Sequence, residues 1–116
     1  MIDKQIHELV RRLNSKNPAH SAAARMLLIA LQERAVGPLI DELYAGVTDA
    51  QGTVILNMLA EIGGPEAMET LRSVFEYEVG RPALQAAAAR GLQRNVHNLS
   101  LDEVEAVSLF LADLNA

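Results

Sequence analysis

Apolar residues return every three or four positions along almost the whole chain, the spacing that places them on one face of an α-helix. Sustained two-residue alternation, the mark of a half-buried strand, does not occur. The pattern predicts an all-α fold of about seven helices, over about 2–14, 18–34, 38–46, 49–62, 65–79, 82–95 and 100–114. The four prolines, Pro18, Pro38, Pro65 and Pro82, stand where the pattern has a helix begin. Proline suits a first helical position because its missing N–H would find no intrahelical partner there. Gly46, Gly63 and Gly80 stand where helices should stop, and Ser100-Leu101-Asp102-Glu103 reads as a capping box.

The width of the apolar arc differs between helices. In the first, Ile2, Ile6, Leu9, Val10 and Leu13 form one stripe, with Asp3, Lys4, His7, Glu8, Arg11 and Arg12 outside it, as suits a helix at the end of a stack. In the fourth, Val54, Ile55, Leu56, Met58, Leu59, Ala60 and Ile62 leave only a narrow polar strip through Thr53, Asn57 and Glu61. The second helix of each pair is therefore expected to be buried on most sides. The last helix carries a full stripe in Val104, Val107, Phe110, Leu111 and Leu114.

These elements repeat. Ala22-Ala23-Ala24-Arg25 returns 65 residues later as Ala87-Ala88-Ala89-Arg90, and Ile6-His7-Glu8-Leu9 is echoed by Ile40-Asp41-Glu42-Leu43 at a spacing of 34. A unit of about 32 to 34 residues holding two helices cannot bury its apolar face alone, and such units stack side by side. The expected architecture is an α-solenoid of about three and a half helix pairs in one domain spanning residues 1–116. Where two units have Met26 and Met58 the third has Gly91, so a large neighbour such as Phe75 or Phe110 is expected to fill that space.

Composition narrows the function classes. Half of the 116 residues are hydrophobic but only four are aromatic, so the core must be aliphatic and rich in alanine. No cysteine is present, which removes disulfides, thiolate metal sites and a cysteine nucleophile. The longest strictly apolar run, Met26 to Leu31, is far too short for a signal or membrane segment, and a cytoplasmic location is the expectation. The net charge of −5 covers a gradient: residues 1–34 carry six Lys/Arg against three Asp/Glu, and residues 35–80 one against eight. A net acidic chain without a basic face is poorly suited to nucleic acid, where phosphate neutralisation supplies most of the non-specific affinity.

The run Leu59-Ala60-Glu61-Ile62-Gly63-Gly64-Pro65-Glu66-Ala67, followed by Leu71, resembles the HEAT-like repeat of the phycocyanobilin lyase type, whose pattern runs Ala-Leu-Gly-x-Ile-Gly-Asp-Pro-Glu-Ala and then a Leu four on. Leu27, Ala35 and Leu39 keep the pattern in the preceding unit, and Ala88 and Leu92 in the following one. The resemblance implies a HEAT-like, armadillo-like solenoid, a form that serves mostly as a binding scaffold. It also implies a rival reading as a subunit of a bilin lyase or chromophore-handling complex. Tetratricopeptide and ankyrin units fit less well, because their signature residues are missing.

No chemistry is expected of the chain itself. A dinuclear metal site would need several His-Glu pairs converging, and His7-Glu8 is one; His20 and His97 have no carboxylate at a ligand spacing. Ser15, Ser21, Ser73, Ser100 and Ser108 lie in no nucleophile elbow, and Gly63-Gly64-Pro65 is a turn in which Pro65 lacks the N–H a phosphate cradle would use. No cofactor is expected. Aligning the second helices at offsets of 32 and 33 stacks Arg25, Asn57 and Arg90, with Ile29, Glu61 and Arg94 a turn further on. This ladder reads either as a groove for an acidic or amphipathic protein segment, its guanidinium groups pairing to carboxylates, or as a solvated rung in which Glu61 pairs with Arg25 or Arg94. Ile29, Tyr77 and Leu109 are apolar residues on polar arcs; single exposed apolar residues are ordinary, and Leu109 has the best case for a contact to another chain or a second copy, including a regulatory homodimer through the last helix.

Overall fold

The computed structural model describes residues 2–115 and is all-α, with no strand among those residues. Seven helices follow one another: α1 (Asp3–Arg12), α2 (Pro18–Leu31), α3 (Glu33–Tyr44), α4 (Asp49–Ile62), α5 (Pro65–Tyr77), α6 (Pro82–Arg94) and α7 (Leu101–Leu114), with a 3₁₀ turn, Val96–Asn98, before the last. Pro18, Pro65 and Pro82 open their helices as expected. The predicted Ser100 capping box is present: the Glu103 N–H donates to Ser100 Oγ at 3.2 Å and the Ser100 N–H donates to Glu103 Oε1 at 2.9 Å. Thr48 and Gln51 form a second one at α4, at 3.2 and 3.1 Å, and Asn17 Oδ1 accepts from the Ala19 N–H at 3.0 Å.

The break between α2 and α3 differs from expectation. Helix α3 begins at Glu33, and Pro38 lies inside it and is buried. The chain turns instead at Gln32, whose φ of 51° and ψ of −127° stop α2 after Leu31 and restart a helix at the next residue. Starting early lets Ala35 and Val36 join Leu39 and Leu43 in the core. Their burial offsets the backbone bond that Pro38 cannot donate to the Arg34 carbonyl.

Helix α4 occupies the centre, with Ile55, Leu56, Met58 and Leu59 all at 0% exposure. Contacts link α1 to α3 and α3 to α5 in one row, and α2 to α4 and α4 to α6 in another, with α1·α2, α3·α4 and α5·α6 joining the rows and α7 resting on α6. Gly91 of α6 explains one close approach: a Cβ there would lie 3.0 Å from Ala60 Cβ and 3.2 Å from Leu71 Cδ2. The space that a methionine would take is thus filled by α4 and α5 and not by an aromatic ring. Phe75 and Phe110 pair with each other, edge to face at 5.3 Å.

Burial of the second helices holds for α4 and α6 but fails for α2, where only Ala24 and Leu28 are buried. Met26 is 72% exposed and Leu27 46%. The physical reason is position: among the described residues no helix precedes α1 and α2 to cover that side. At the opposite end α7 buries Val107 and Leu111, while Leu114 is exposed.

Candidate functional site

The ladder residues sit on three helices that touch in sequence, α2 to α4 and α4 to α6. Arg25, Asn57, Glu61, Arg90 and Arg94 are all exposed. Arg25 Nη2 donates to Glu61 Oε2 at 2.7 Å, so α2 and α4 neutralise each other at that rung. Ile29 is half-buried and packs against the core, which corrects its reading as an apolar residue on a solvent strip. Arg90 and Arg94, one turn apart on α6, have no carboxylate within ion-pair distance among the described residues. Leu109 is exposed on α7, the helix that rests on α6, and Tyr77 is exposed at the end of α5.

Other polar contacts tie one helix pair to the next. His7 Nε2 lies 3.2 Å from Asp41 Oδ2, and these are equivalent residues of the echo between α1 and α3. Arg81 Nη2 donates to Asp49 Oδ1 and the Val47 carbonyl, both at 2.8 Å. Arg72 Nε donates to Glu103 Oε2 at 2.6 Å and its Nη2 to the Asn98 carbonyl at 3.0 Å. Asn95 Nδ2 reaches the Ala60 carbonyl at 3.1 Å and that of Gly91 at 2.9 Å. The ion pairs of His7, Arg25, Arg81 and Arg72 span 34, 36, 32 and 31 residues, close to one repeat in each case. Arg72, Arg81 and Asn95 carry no periodic signal in the sequence, whereas the ladder alignment named Arg25 with Glu61 as a pair and the His7 and Asp41 echo could have announced its contact.

Two ionisable groups are perturbed. His7 is raised, first by its hydrogen bond to the Asp3 carbonyl, 2.8 Å from Nδ1, and then by Asp41. Glu103 is held below the ordinary carboxylate value by the Ser100 N–H and then by Arg72. Both shifts follow from hydrogen bonds that favour the charged form. Among the described residues no group of three or more His, Cys, Asp or Glu is placed to hold a metal ion.

The surface also carries several concavities. A cleft of about 360 Å³ between α5 and α7 has Phe75, Leu92, Ala106 and Val107 in its walls and Arg72, Glu76, Asp102 and Glu103 about it. A smaller one of about 280 Å³ between α1 and α2 is lined by Leu9, Ala23, Ala24 and Leu27 with Arg12 and His20. Neither was legible beforehand, because each is made by residues from separate helices whose spacing only the packing sets. No helix among the described residues is long and apolar enough to cross a membrane. Compared with protein families, with curated proteins and with solved structures, the chain gives no match.

Proposed function

We infer that the protein is a non-catalytic, cytoplasmic interaction module, a HEAT-like α-solenoid whose second helices present one polar edge to a protein partner. The observation that carries the reading is the pair Arg90 and Arg94, exposed and, among the described residues, without a carboxylate within ion-pair distance, on the helix that adjoins the one bearing Asn57. Support for the solenoid comes from the two rows of touching helices and from ion pairs that recur near one repeat length. A rigid row of this kind holds side chains at fixed spacing, and guanidinium forks match carboxylates in a bidentate way. The partner is therefore an acidic or amphipathic segment, and because Glu61 already occupies Arg25, its carboxylates fall to Arg90 and Arg94.

Fluorescence anisotropy with acidic amphipathic helical peptides, and with the same peptides carrying Lys in place of Asp and Glu, tests this. The acidic set should bind, and added salt should weaken binding. Arg90→Ala with Arg94→Ala should reduce affinity more than the tenfold that about 1.4 kcal/mol represents. Folding should stay nearly unchanged, since exposed unpaired charges contribute little to stability. Equal binding of both peptide sets, or undiminished affinity in the double variant, would remove the ladder as a site.

A further inference from the structure

The outward face of α2 is uncharged. Ala19, Ala22, Ala23, Met26, Leu27 and Ala30 are all exposed and lie together on the side of the helix opposite its buried Ala24 and Leu28. The positions equivalent to Ala23, Met26 and Leu27 hold Ile55, Met58 and Leu59 in α4, and Ala88, Gly91 and Leu92 in α6, and all six of those are buried. In α6 this face rests on the preceding second helix, since Ala60 of α4 is the nearest neighbour of Gly91. In α2, among the described residues, no helix lies over the same face. Bare apolar faces of this kind mark contacts with another chain.

The face is also divided along its length. Its first half, Ala19, Ala22 and Ala23, is small, and its second half holds the bulky Met26 and Leu27. A copy of the same helix laid antiparallel about a twofold axis sets each bulky half against a small one. Met26 then meets the second copy's Ala23, Leu27 its Ala22, and Ala30 its Ala19. Alanines let the two backbones approach while the longer side chains fill the space beside them, which is the complementarity that close packing requires. The same arrangement carries Lys16, just before α2, toward the end where the second copy's Glu33 lies, and it does so twice by symmetry. The two Lys16 corners stay about 25 Å apart, the length of some 17 helical residues, well beyond the Debye length of about 8 Å at physiological salt. The two Lys16 side chains therefore do not repel each other across the contact.

We propose that the protein forms a closed, twofold dimer through antiparallel packing of α2 against α2 of a second copy, making one continuous row of six second helices. An isologous contact of this kind closes on itself and leaves the ladder edge of each copy available. Two 14-residue helices offer an area near or below the roughly 1,200 Å² at which standard interfaces begin, so the dimer depends on protein concentration.

Sedimentation equilibrium from micromolar to millimolar protein tests the proposal. The average mass should rise from 12.6 kDa toward twice that value. Met26→Glu should hold it at the monomer value while the helical spectrum and melting temperature stay as in the parent protein. Lys16→Glu alone and Glu33→Lys alone should each weaken the dimer several-fold, and the two together should restore it, because each new charge then meets its opposite. With no native cysteine to interfere, a mixture of Ala23→Cys and Met26→Cys proteins should form a mixed disulfide faster than Ala19→Cys forms one with itself. A monomer at every concentration would overturn the proposal. So would a dimer that ignores Met26→Glu but is lost in Leu109→Glu, or fast cross-linking of Ala19→Cys to itself, the mark of a parallel pair.

Discussion

Gln32 holds a backbone that side chains with a Cβ seldom adopt, with φ at 51° and ψ at −127°. It is the single residue between α2 and α3, and it still makes two turn bonds: its N–H donates to the Ile29 carbonyl at 3.1 Å and its carbonyl accepts from the Ala35 N–H at 2.9 Å. The position therefore cannot relax without losing the turn. Sparsely populated conformations of this kind cost on the order of 1–3 kcal/mol, against which glycine loses roughly 0.5–1 kcal/mol through its freer unfolded chain. Gln32→Gly should stabilise the protein by about 1 kcal/mol, read as a higher denaturant midpoint at unchanged slope. A lower midpoint would show that the turn is not strained. This break was illegible in the sequence because glutamine signals no turn, whereas Val36-Gly37-Pro38 does. Propensity lost to packing here, since Ala35 and Val36 are both buried.

At the scale of the helix, periodicity showed how wide an apolar arc is but not whether a neighbour covers it. Helices α2 and α4 carry comparable apolar arcs, yet Met58 is fully buried and Met26 is 72% exposed. The helices themselves, their starts at Pro18, Pro65 and Pro82 and the cap at Ser100 were legible, because caps and first-turn prolines act through local backbone groups. Which side chain stands over Gly91 was not, because that depends on the approach of α6 to α4 and α5. The approach makes a firm prediction. Gly91→Leu would drive four carbons into a gap where even a Cβ sits 3.0 Å from Ala60 Cβ and 3.2 Å from Leu71 Cδ2. Ala60 has no rotamer to yield, so overpacking should cost about 1–3 kcal/mol despite the better helix propensity of leucine. A thermal midpoint equal to or above that of the parent protein would mean that α6 can shift without penalty.

At the scale of the whole molecule, the echo of Ile6–Leu9 by Ile40–Leu43 has a counterpart in the structure where His7 meets Asp41. The imidazole has a carbonyl, that of Asp3, 2.8 Å from Nδ1 and a carboxylate 3.2 Å from Nε2. Both partners are acceptors, so the protonated ring satisfies both and the neutral ring only one. The Asp3 carbonyl, and after it Asp41, accordingly raises the value of His7 in the folded chain. A raised value means that the folded state binds the proton more tightly than the unfolded one, so the stabilisation is complete below the unfolded value of histidine and fades as pH climbs through the folded one. Glu103, held low by Ser100 and Arg72, acts in the other direction: its contribution is present above the ordinary carboxylate value and is lost only as pH falls through the lowered one. The two windows do not overlap. Comparing the parent protein with Asp41→Asn as a function of pH isolates the first, because Glu103 is common to both. The parent should be the more stable at about pH 5.5, and the gap should close by about pH 8, as the ring loses its proton. It reverses if the asparagine amide donates to the neutral Nε2. A gap that is the same at both ends, or that widens toward alkaline pH, would show that the α1 and α3 contact owes nothing to the charge on His7.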